Sequence, residues 1–233
     1  MPFPISEPLN RRGIMASIGV ALFSFVVSGP PVGAQRFPVV THTLDSGLPS
    51  NQVKGMATAD DGRVWMATRA GLVAFDGRDW EFDRGSELTS AEAITRAPGG
   101  TLWVAEKNLG PTTIREVGGE RRFNASLACA GVRGRPVTLI AGVGPVGKTF
   151  LAAGFDEAGA LLHFPDSGQT VCLDQDAQLS VGAVESLVPA NGGVLAVIDR
   201  KVRLIGFDGS TSHVSWADDE PVFALGTDRT HSE

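Results

Sequence analysis

Short apolar runs separated by glycine turns make up most of the chain after residue 34. The stretch RVWMATRAGLVAFDG, residues 63–77, reads as a strand, a turn at Gly71, a second strand and a turn at Asp76-Gly77. Asp-Gly between two apolar, β-branched runs is a strong hairpin signal. QVKGMATA before this stretch and DWEF after it supply two further strands. The pattern therefore predicts a four-stranded antiparallel unit.

Helical periodicity is absent after residue 34, except in residues 152–162, which suit a helix by propensity. That stretch contains two glycines, each of which costs about 1 kcal/mol in a helix interior. The whole chain has 29 glycines, and 42% of its residues are hydrophobic. Many turns and enough apolar side chains for a core predict an all-β fold.

The four-stranded unit repeats along the chain. A glycine followed three residues later by an aromatic side chain recurs at Trp65, Trp103 and Phe150, at intervals of 38 and 47 residues. A fourth, weaker unit places Ala196 at this position. Repeats of about 40 to 50 residues with four strands each are typical of propeller blades. We expect the three aromatic residues to fill the cores between neighbouring blades.

Four residues of the first unit are expected to shape its turns: Gly62, Gly71, Asp76 and Gly77. Glycine adopts the left-handed backbone conformation that tight turns require, and aspartate bonds to the backbone of the turn. Trp80 does not fit the spacing of the other aromatic residues, and we expect it at a rim of the blade.

The N-terminus predicts export. Arg11 and Arg12 precede the apolar run GIMASIGVALFSFVVSG, and small residues at Val32 and Ala34 precede Gln35. This order describes a signal peptide over residues 1–34, with an uncleaved anchor as the alternative. Residues 35–233 are then one exported propeller domain, periplasmic or secreted.

Export also changes the interpretation of the two cysteines. In an oxidising compartment Cys129 and Cys172 either pair as a disulfide or remain two half-buried thiols. The sequence leaves both arrangements open.

Residues 142–149 spell G-x-x-x-x-G-K-T, the pattern of a phosphate-binding P-loop. A P-loop leads from a strand into a helix whose N-terminus faces the phosphates. In the repeat, however, Gly147 stands three residues before Phe150, as Gly62 stands before Trp65. We therefore interpret GPVGK as a hairpin turn and keep a nucleotide site at Gly142–Thr149 as a remote alternative.

Other chemistry has little support in the sequence. The formal net charge is −6 and there is no basic run, which argues against nucleic acid as a partner. The chain has no tyrosine, the nucleophile of sialidases. The four histidines lack zinc-site spacing, and we expect each at the surface or at a strand end: His42, His163, His213 and His231. No metal or other cofactor is expected.

The first unit resembles the two-component regulator propeller repeat. GLPSNQV, residues 47–53, matches the opening of that repeat, and residues 64–68 match its Leu-Trp-x-Gly-Thr block with Ala67 in place of glycine. Gly71-Leu72 and Phe75-Asp76-Gly77 match the turns that follow. The resemblance is strong in the first unit and moderate in the second, and it depends mainly on spacing in the third and fourth.

The resemblance implies the periplasmic sensor propeller of hybrid histidine kinases or diguanylate cyclases, which usually has seven blades. Residues 220–233 resemble the start of a fifth unit, so we expect an N-terminal fragment, a partial propeller of about four blades without its output domain. The full-length protein would be attached to the inner membrane through the signal segment or a later span. The arc either closes as a small ring or stays open and tends to associate.

We therefore expect a non-catalytic ligand-sensing module of a signal-transduction receptor. Its ligand would be a small molecule, with carbohydrate as a candidate, bound at loops on one propeller face or at a homodimer interface. The alternative is an enzyme on a propeller scaffold, a lyase or glycan hydrolase. That alternative requires clustered acids or metal ligands, which the sequence does not display.

The turn interpretation of residues 142–149 makes a direct prediction. Micromolar ATP, with or without magnesium, should leave the thermal unfolding midpoint unchanged, because a hairpin turn provides no phosphate cradle. Scanning fluorimetry measures this, with Lys148→Ala as the matched variant. Stabilisation of the parent protein by ATP, lost in the variant, would contradict the interpretation.

Overall fold

The computed structural model describes residues 39–86, 89–107, 110–173 and 183–214. The predicted signal peptide, the start of the predicted fifth unit and His231 lie outside these residues.

The described residues form sixteen strands in four antiparallel sheets of four strands each. In each sheet, strands that follow one another in sequence pair side by side. The first blade contains β1 Val53–Thr58, β2 Val64–Thr68, β3 Gly71–Phe75 and β4 Trp80–Phe82. The second contains β5 Ser90–Arg96, β6 Leu102–Lys107, β7 Thr112–Glu116 and β8 Arg122–Asn124. The third contains β9 Pro136–Val143, β10 Thr149–Phe155, β11 Ala160–Phe164 and β12 Gln169–Cys172. The fourth contains β13 Val184–Ala190, β14 Gly193–Ile198, β15 Lys201–Gly206 and β16 Thr211–His213.

This architecture confirms the predicted all-β propeller with four four-stranded blades. Helical structure is limited, in the described residues, to the 3₁₀ turns Leu44–Ser46, Arg84–Ser86 and Pro145–Gly147 and to α1, Ala125–Ala128. Residues 152–162, which suit a helix by propensity, belong instead to β10, a turn and β11. Tertiary pairing with β9 and β12 overrides local propensity there.

A left-handed glycine ends the hairpin between the first two strands of each blade, in a three-residue turn in the first three blades and in the two-residue turn Asn191-Gly192 in the fourth. In the first blade, Ala59 N–H donates to Arg63 O at 2.9 Å, and Gly62 N–H donates to Ala59 O at 3.1 Å. Gly62 has a φ of +83°, and its counterparts Gly100, Gly147 and Gly192 have φ of +87°, +73° and +86°. A turn of this kind ends in a left-handed residue, which explains the glycine.

The left-handed glycine shows that the predicted alignment of the fourth blade is wrong by one residue. Because the left-handed glycine is Gly192 and not Gly193, the residue equivalent to Trp65 is Leu195, not Ala196. Successive strand residues point to opposite faces, so a shift by one residue changes the face. Ala196 accordingly lies in the core against the third blade.

The blades pack in chain order through three side-chain cores. Trp65 packs with Ile94 and Val104 of the second blade. Trp103, 2% exposed, packs with residues of the third blade that include Leu139 and Leu151. Phe150, 1% exposed, packs with residues of the fourth blade that include Leu187 and Val194. The three aromatic side chains thus occupy one position of the repeat and face the next blade.

The junction of the first two blades also contains ion pairs that cross it. Lys54 of β1 pairs with Glu92, and Asp60 in the first hairpin pairs with Arg96. Arg115 of β7 binds Glu106 in its own blade and Asp83 just after β4. At the junction of the second and third blades, Arg121 and Asp166 form one such pair, with 3.5 Å between Arg121 Nη1 and Asp166 Oδ1.

Residues 41–50 lie against the opposite face of the first blade. His42 contacts Phe75 and Trp80 edge-on, with ring centroids 4.7 and 5.3 Å apart. Leu48 is 6% exposed. Trp80, expected at a rim, is therefore partly covered by the N-terminal segment.

The cores predict unequal costs of truncating the two tryptophans. Trp103→Ala should destabilise the domain by about 3–5 kcal/mol, because it removes a fully buried indole and leaves a cavity. Trp65→Ala should cost less, because Trp65 is partly exposed. Urea unfolding at constant m-value measures both variants. Equal losses would contradict the assignment of Trp103 to a closed core.

Candidate ligand site at the hairpin ends of the blades

The β1–β2 and β5–β6 hairpins and the β7–β8 turn enclose a hollow of about 380 Å³ between the first two blades. The β1–β2 hairpin contributes Asp60, Asp61 and Arg63, and β2 contributes Trp65. The second blade contributes Thr101, Leu102 and the residues from Glu116 to Gly118. We call this space the Trp65 hollow.

Backbone bonds fix the charged groups at the mouth of this hollow. Asp61 Oδ1 accepts from the backbone N–H of Arg63 at 3.0 Å, and Asp61 Oδ2 accepts from Arg63 Nε at 2.6 Å. The backbone bond from Arg63, followed by the bond from its side chain, lowers the pKa of Asp61. The side-chain bond to Asp61 raises the pKa of Arg63. Both groups are therefore charged at neutral pH.

An aromatic surface lies beside these charges. The Arg63 guanidinium stands 5.6 Å from the centre of the Trp65 ring, within the range of cation–π contact. On the opposite wall, Glu116 accepts from Arg121 at 2.7 and 3.1 Å, and these bonds lower the pKa of Glu116. The hollow thus combines an indole with paired charges that retain hydrogen-bonding capacity, a composition suited to a small polar molecule with an apolar face.

The equivalent space between the second and third blades is smaller, about 270 Å³, and its tryptophan is buried. Arg121 lies 5.2 Å from the centre of the Trp103 ring and covers it. Phe123 stacks on His163 with centroids 3.7 Å apart and planes at 22°. These side chains occupy the volume that stays open beside Trp65.

His163 differs from the expectation that each histidine is exposed or ends a strand. It lies within β11, is 7% exposed, and its Nδ1 is 2.9 Å from Thr170 Oγ1. Burial lowers the pKa of His163 to about 4. The imidazole is therefore neutral at physiological pH and acts as a packing residue.

Cys129 and Cys172 form a disulfide with Cα atoms 5.4 Å apart. Cys129 follows α1, which begins after Asn124, whose side chain accepts from Leu127 N–H at 2.9 Å. Cys172 ends β12. The bond joins the segment after the second blade to the outer strand of the third, beside the Phe123–His163 stack.

The G-x-x-x-x-G-K-T stretch lies apart from the Trp65 hollow, in the β9–β10 hairpin. Gly144 N–H donates to Lys148 O at 2.7 Å, and Thr149 begins β10. A strand thus follows the motif where a P-loop requires a helix.

The predicted residues are spread over the blades. Trp65 lies at the Trp65 hollow and Gly62 in the β1–β2 turn, whereas Trp103 and Phe150 fill separate cores. Asp76 accepts from the N–H groups of Arg78 and Asp79 at 2.8 Å in the β3–β4 turn, where Gly77 also lies. Gly71 begins β3 with a φ of +120°. Arg63, Thr101 and Glu116 were not predicted, although Arg63 follows the Gly62 turn directly.

Among the residues that the structure describes, no group of three or more histidine, cysteine, aspartate or glutamate side chains is placed to bind a metal ion. No helix in the same residues is long and apolar enough to cross a membrane.

The sequence matches the model of the two component regulator propeller family over residues 47–70. This match confirms the resemblance of the first unit, and the matched residues include Asp60, Asp61, Arg63 and Trp65 of the hollow. No curated protein matches the sequence.

Solved structures share the fold. The extracellular domain of BT4673 from B. thetaiotaomicron, described both as a one component and as a hybrid two component system, aligns over 84% of this chain at 16% identity. The TM-scores are 0.56 and 0.55. A chain of a nidogen/laminin complex aligns over 76% of this chain at 15% identity and TM-score 0.53. Virginiamycin B lyase from Staphylococcus aureus aligns over 72% at 14% identity and TM-score 0.49.

This chain spans 57% of the lyase chain, 69% of the nidogen/laminin chain and 27% or 26% of the two BT4673 chains. At these identities the likenesses to BT4673 and to the nidogen/laminin chain establish the propeller fold alone.

Burial of His163 predicts a pH dependence of stability. The folded pKa of about 4 lies below the unfolded value of about 6.5, so the unfolded chain takes up the proton first. The neutral, buried His163 side chain therefore contributes up to about 3 kcal/mol to the free energy of unfolding. The full contribution is present above about pH 6.5, and it is lost as the pH falls toward 4. Urea midpoints of the parent protein and of His163→Gln between these pH values measure it. An equal slope in both proteins would contradict the assignment.

Proposed function

We propose that this chain, which carries a two-component regulator propeller repeat on a propeller fold, is the ligand-sensing module of a signal-transduction receptor. The family match at residues 47–70 is the observation that carries the proposal. The propeller of BT4673, described as part of one component and hybrid two component systems, supports it through fold likeness. The module acts outside the cytoplasm, in keeping with the signal-like N-terminus, the disulfide and the extracellular position of BT4673.

The Trp65 hollow is the proposed ligand site. Its walls come from two blades, so a bound molecule contacts both sides of a junction. A ligand shifts a conformational equilibrium only by its differential affinity for the two states. Contacts to Asp61 and Trp65 on one side and Glu116 on the other make affinity depend on the arrangement of the blades.

Paired charges beside an indole suit a saccharide, whose hydroxyl groups both donate and accept and whose ring offers an apolar face. A saccharide is therefore the proposed ligand class. Two acids of the hollow are poorly suited to act as a general acid: Glu116 is held by Arg121 and Asp61 by Arg63, and both carboxylates have a lowered pKa. A general acid requires the opposite shift.

The test is a titration with a panel of mono- and oligosaccharides. Tryptophan fluorescence and the thermal unfolding midpoint are the readouts. A ligand of the Trp65 hollow should bind Trp65→Phe and Asp61→Ala at least about tenfold more weakly, a loss of about 1.4 kcal/mol. Asp208→Ala is the matched control, because Asp208 is also an exposed turn aspartate that bonds two residues ahead. Undiminished binding to Trp65→Phe and Asp61→Ala, or no binding across the panel, would contradict the proposal.

A further inference from the structure

A second hollow lies on the other side of the β7–β8 turn from the Trp65 hollow. Its volume is about 400 Å³, and it is lined by Gly85, Arg115, Gly119, Glu120, Arg121 and Arg122. Three of these six residues are arginines in a chain whose net charge is −6. We call it the arginine hollow.

Strand register brings two of the arginines together. Arg115 on β7 is directly opposite Arg122 on β8, and Val104 on β6 is opposite Arg115. Residues that are directly opposite in a sheet point to the same face. Because Val104 packs in the core between the first and second blades, Arg115 and Arg122 both face the first blade.

Arg115 is fixed in place. Its Nε and Nη2 donate to the two carboxylate oxygens of Glu106 at 2.9 Å, and Nη2 also bonds to Asp83 of the first blade. The side chains of Arg115, Glu106 and Asp83 are only 13%, 6% and 15% exposed. Gly85 leaves room for this arrangement, since a Cβ atom there would lie 3.2 Å from Arg115 Nη1. The guanidinium is therefore preorganised at the base of the hollow.

Arg122 has a different environment. Its side chain is exposed and makes no ion pair or hydrogen bond with the described residues. Like charges directly opposite one another in a sheet are destabilising. Glu106 and Asp83 offset the charge of Arg115, whereas that of Arg122 is left uncompensated. Glu120, the carboxylate that lines the hollow, is exposed and forms no ion pair with the described residues either.

We infer that the arginine hollow is a binding site for the oxyanion group, carboxylate or phosphate, of a small molecule. Arg122 supplies the uncompensated charge, and Arg115, held in place by Glu106 and Asp83, fixes the strand position opposite Arg122. Guanidinium groups bind both kinds of oxyanion through paired N–H donors. The site lies beside the Trp65 hollow but does not depend on the ligand proposed there.

The site also has a mechanical consequence. Arg115 bonds across the junction to Asp83, so an anion beside Arg115 acts on a bond that joins the first two blades. Anion binding at this hollow is therefore coupled to the same junction as the Trp65 hollow.

The test is a titration with inorganic phosphate and, separately, with acetate and glucuronate, against chloride at matched ionic strength. NMR chemical shifts and the thermal midpoint of the full chain are the readouts. Arg122→Gln should weaken binding about tenfold, the value of a charged hydrogen bond. Glu120→Gln should strengthen it, because the variant removes a like charge from the hollow. Both residues are exposed, so neither substitution should impair folding.

Arg78→Gln is the matched control, since Arg78 is an exposed arginine in the β3–β4 turn. Binding of phosphate but not of the carboxylates would assign the site to phosphate esters, and the reverse would assign it to organic acids. Equal binding by the parent protein and Arg122→Gln, or no binding of any of the three anions, would overturn the inference. Neither result affects the saccharide titration at Trp65, which uses different variants.

Discussion

Side-chain packing between blade faces is the interaction on which the architecture depends. In the described residues each strand pairs only with strands of its own blade, so the hydrogen bonds of the sheets do not join one blade to the next. Close approach is set by small residues on the facing strands: a Cβ at Gly154 would overlap Val184 of the fourth blade, and one at Gly55 would touch Ile94. The apolar area removed from water at each junction then determines how firmly two blades are held together.

At the junction of the first two blades, ion pairs replace part of the apolar packing and fix the geometry of the contact. Buried ion pairs such as Arg115–Glu106 and Lys54–Glu92 add little net stability, because their attraction is largely offset by the cost of removing both charges from water. Apolar side chains of similar size would stabilise the junction more. What the pairs provide is a fixed geometry, since each carboxylate accepts from one defined partner. Both proposed binding sites lie at this junction, where polar groups are held in place at the expense of a continuous apolar core.

The sequence predicted the local features of the fold well, because they depend on neighbouring residues. Glycine three positions before Trp65 and Trp103 marks a turn whose geometry requires a left-handed residue. In the fourth blade two adjacent glycines, Gly192 and Gly193, fit the spacing equally well in the sequence. The left-handed conformation of Gly192 and the strand pairing distinguish Leu195 from Ala196. The burial of His163 was missed for a related reason, since it depends on Phe123 in another blade.

The two tryptophans show why the site was harder to predict than the fold. Trp65 and Trp103 occupy the same position of the repeat, and the sequence around them gives no sign that one is open and the other closed. The difference comes from the facing side: Arg121, Phe123 and His163 fill the space at Trp103, whereas the turns at Gly100 and Gly118 leave space at Trp65. A repeat specifies where an aromatic side chain lies, but the non-repeating residues of the next blade determine its exposure. The proposed ligand site accordingly lies where equivalent positions of the repeat differ.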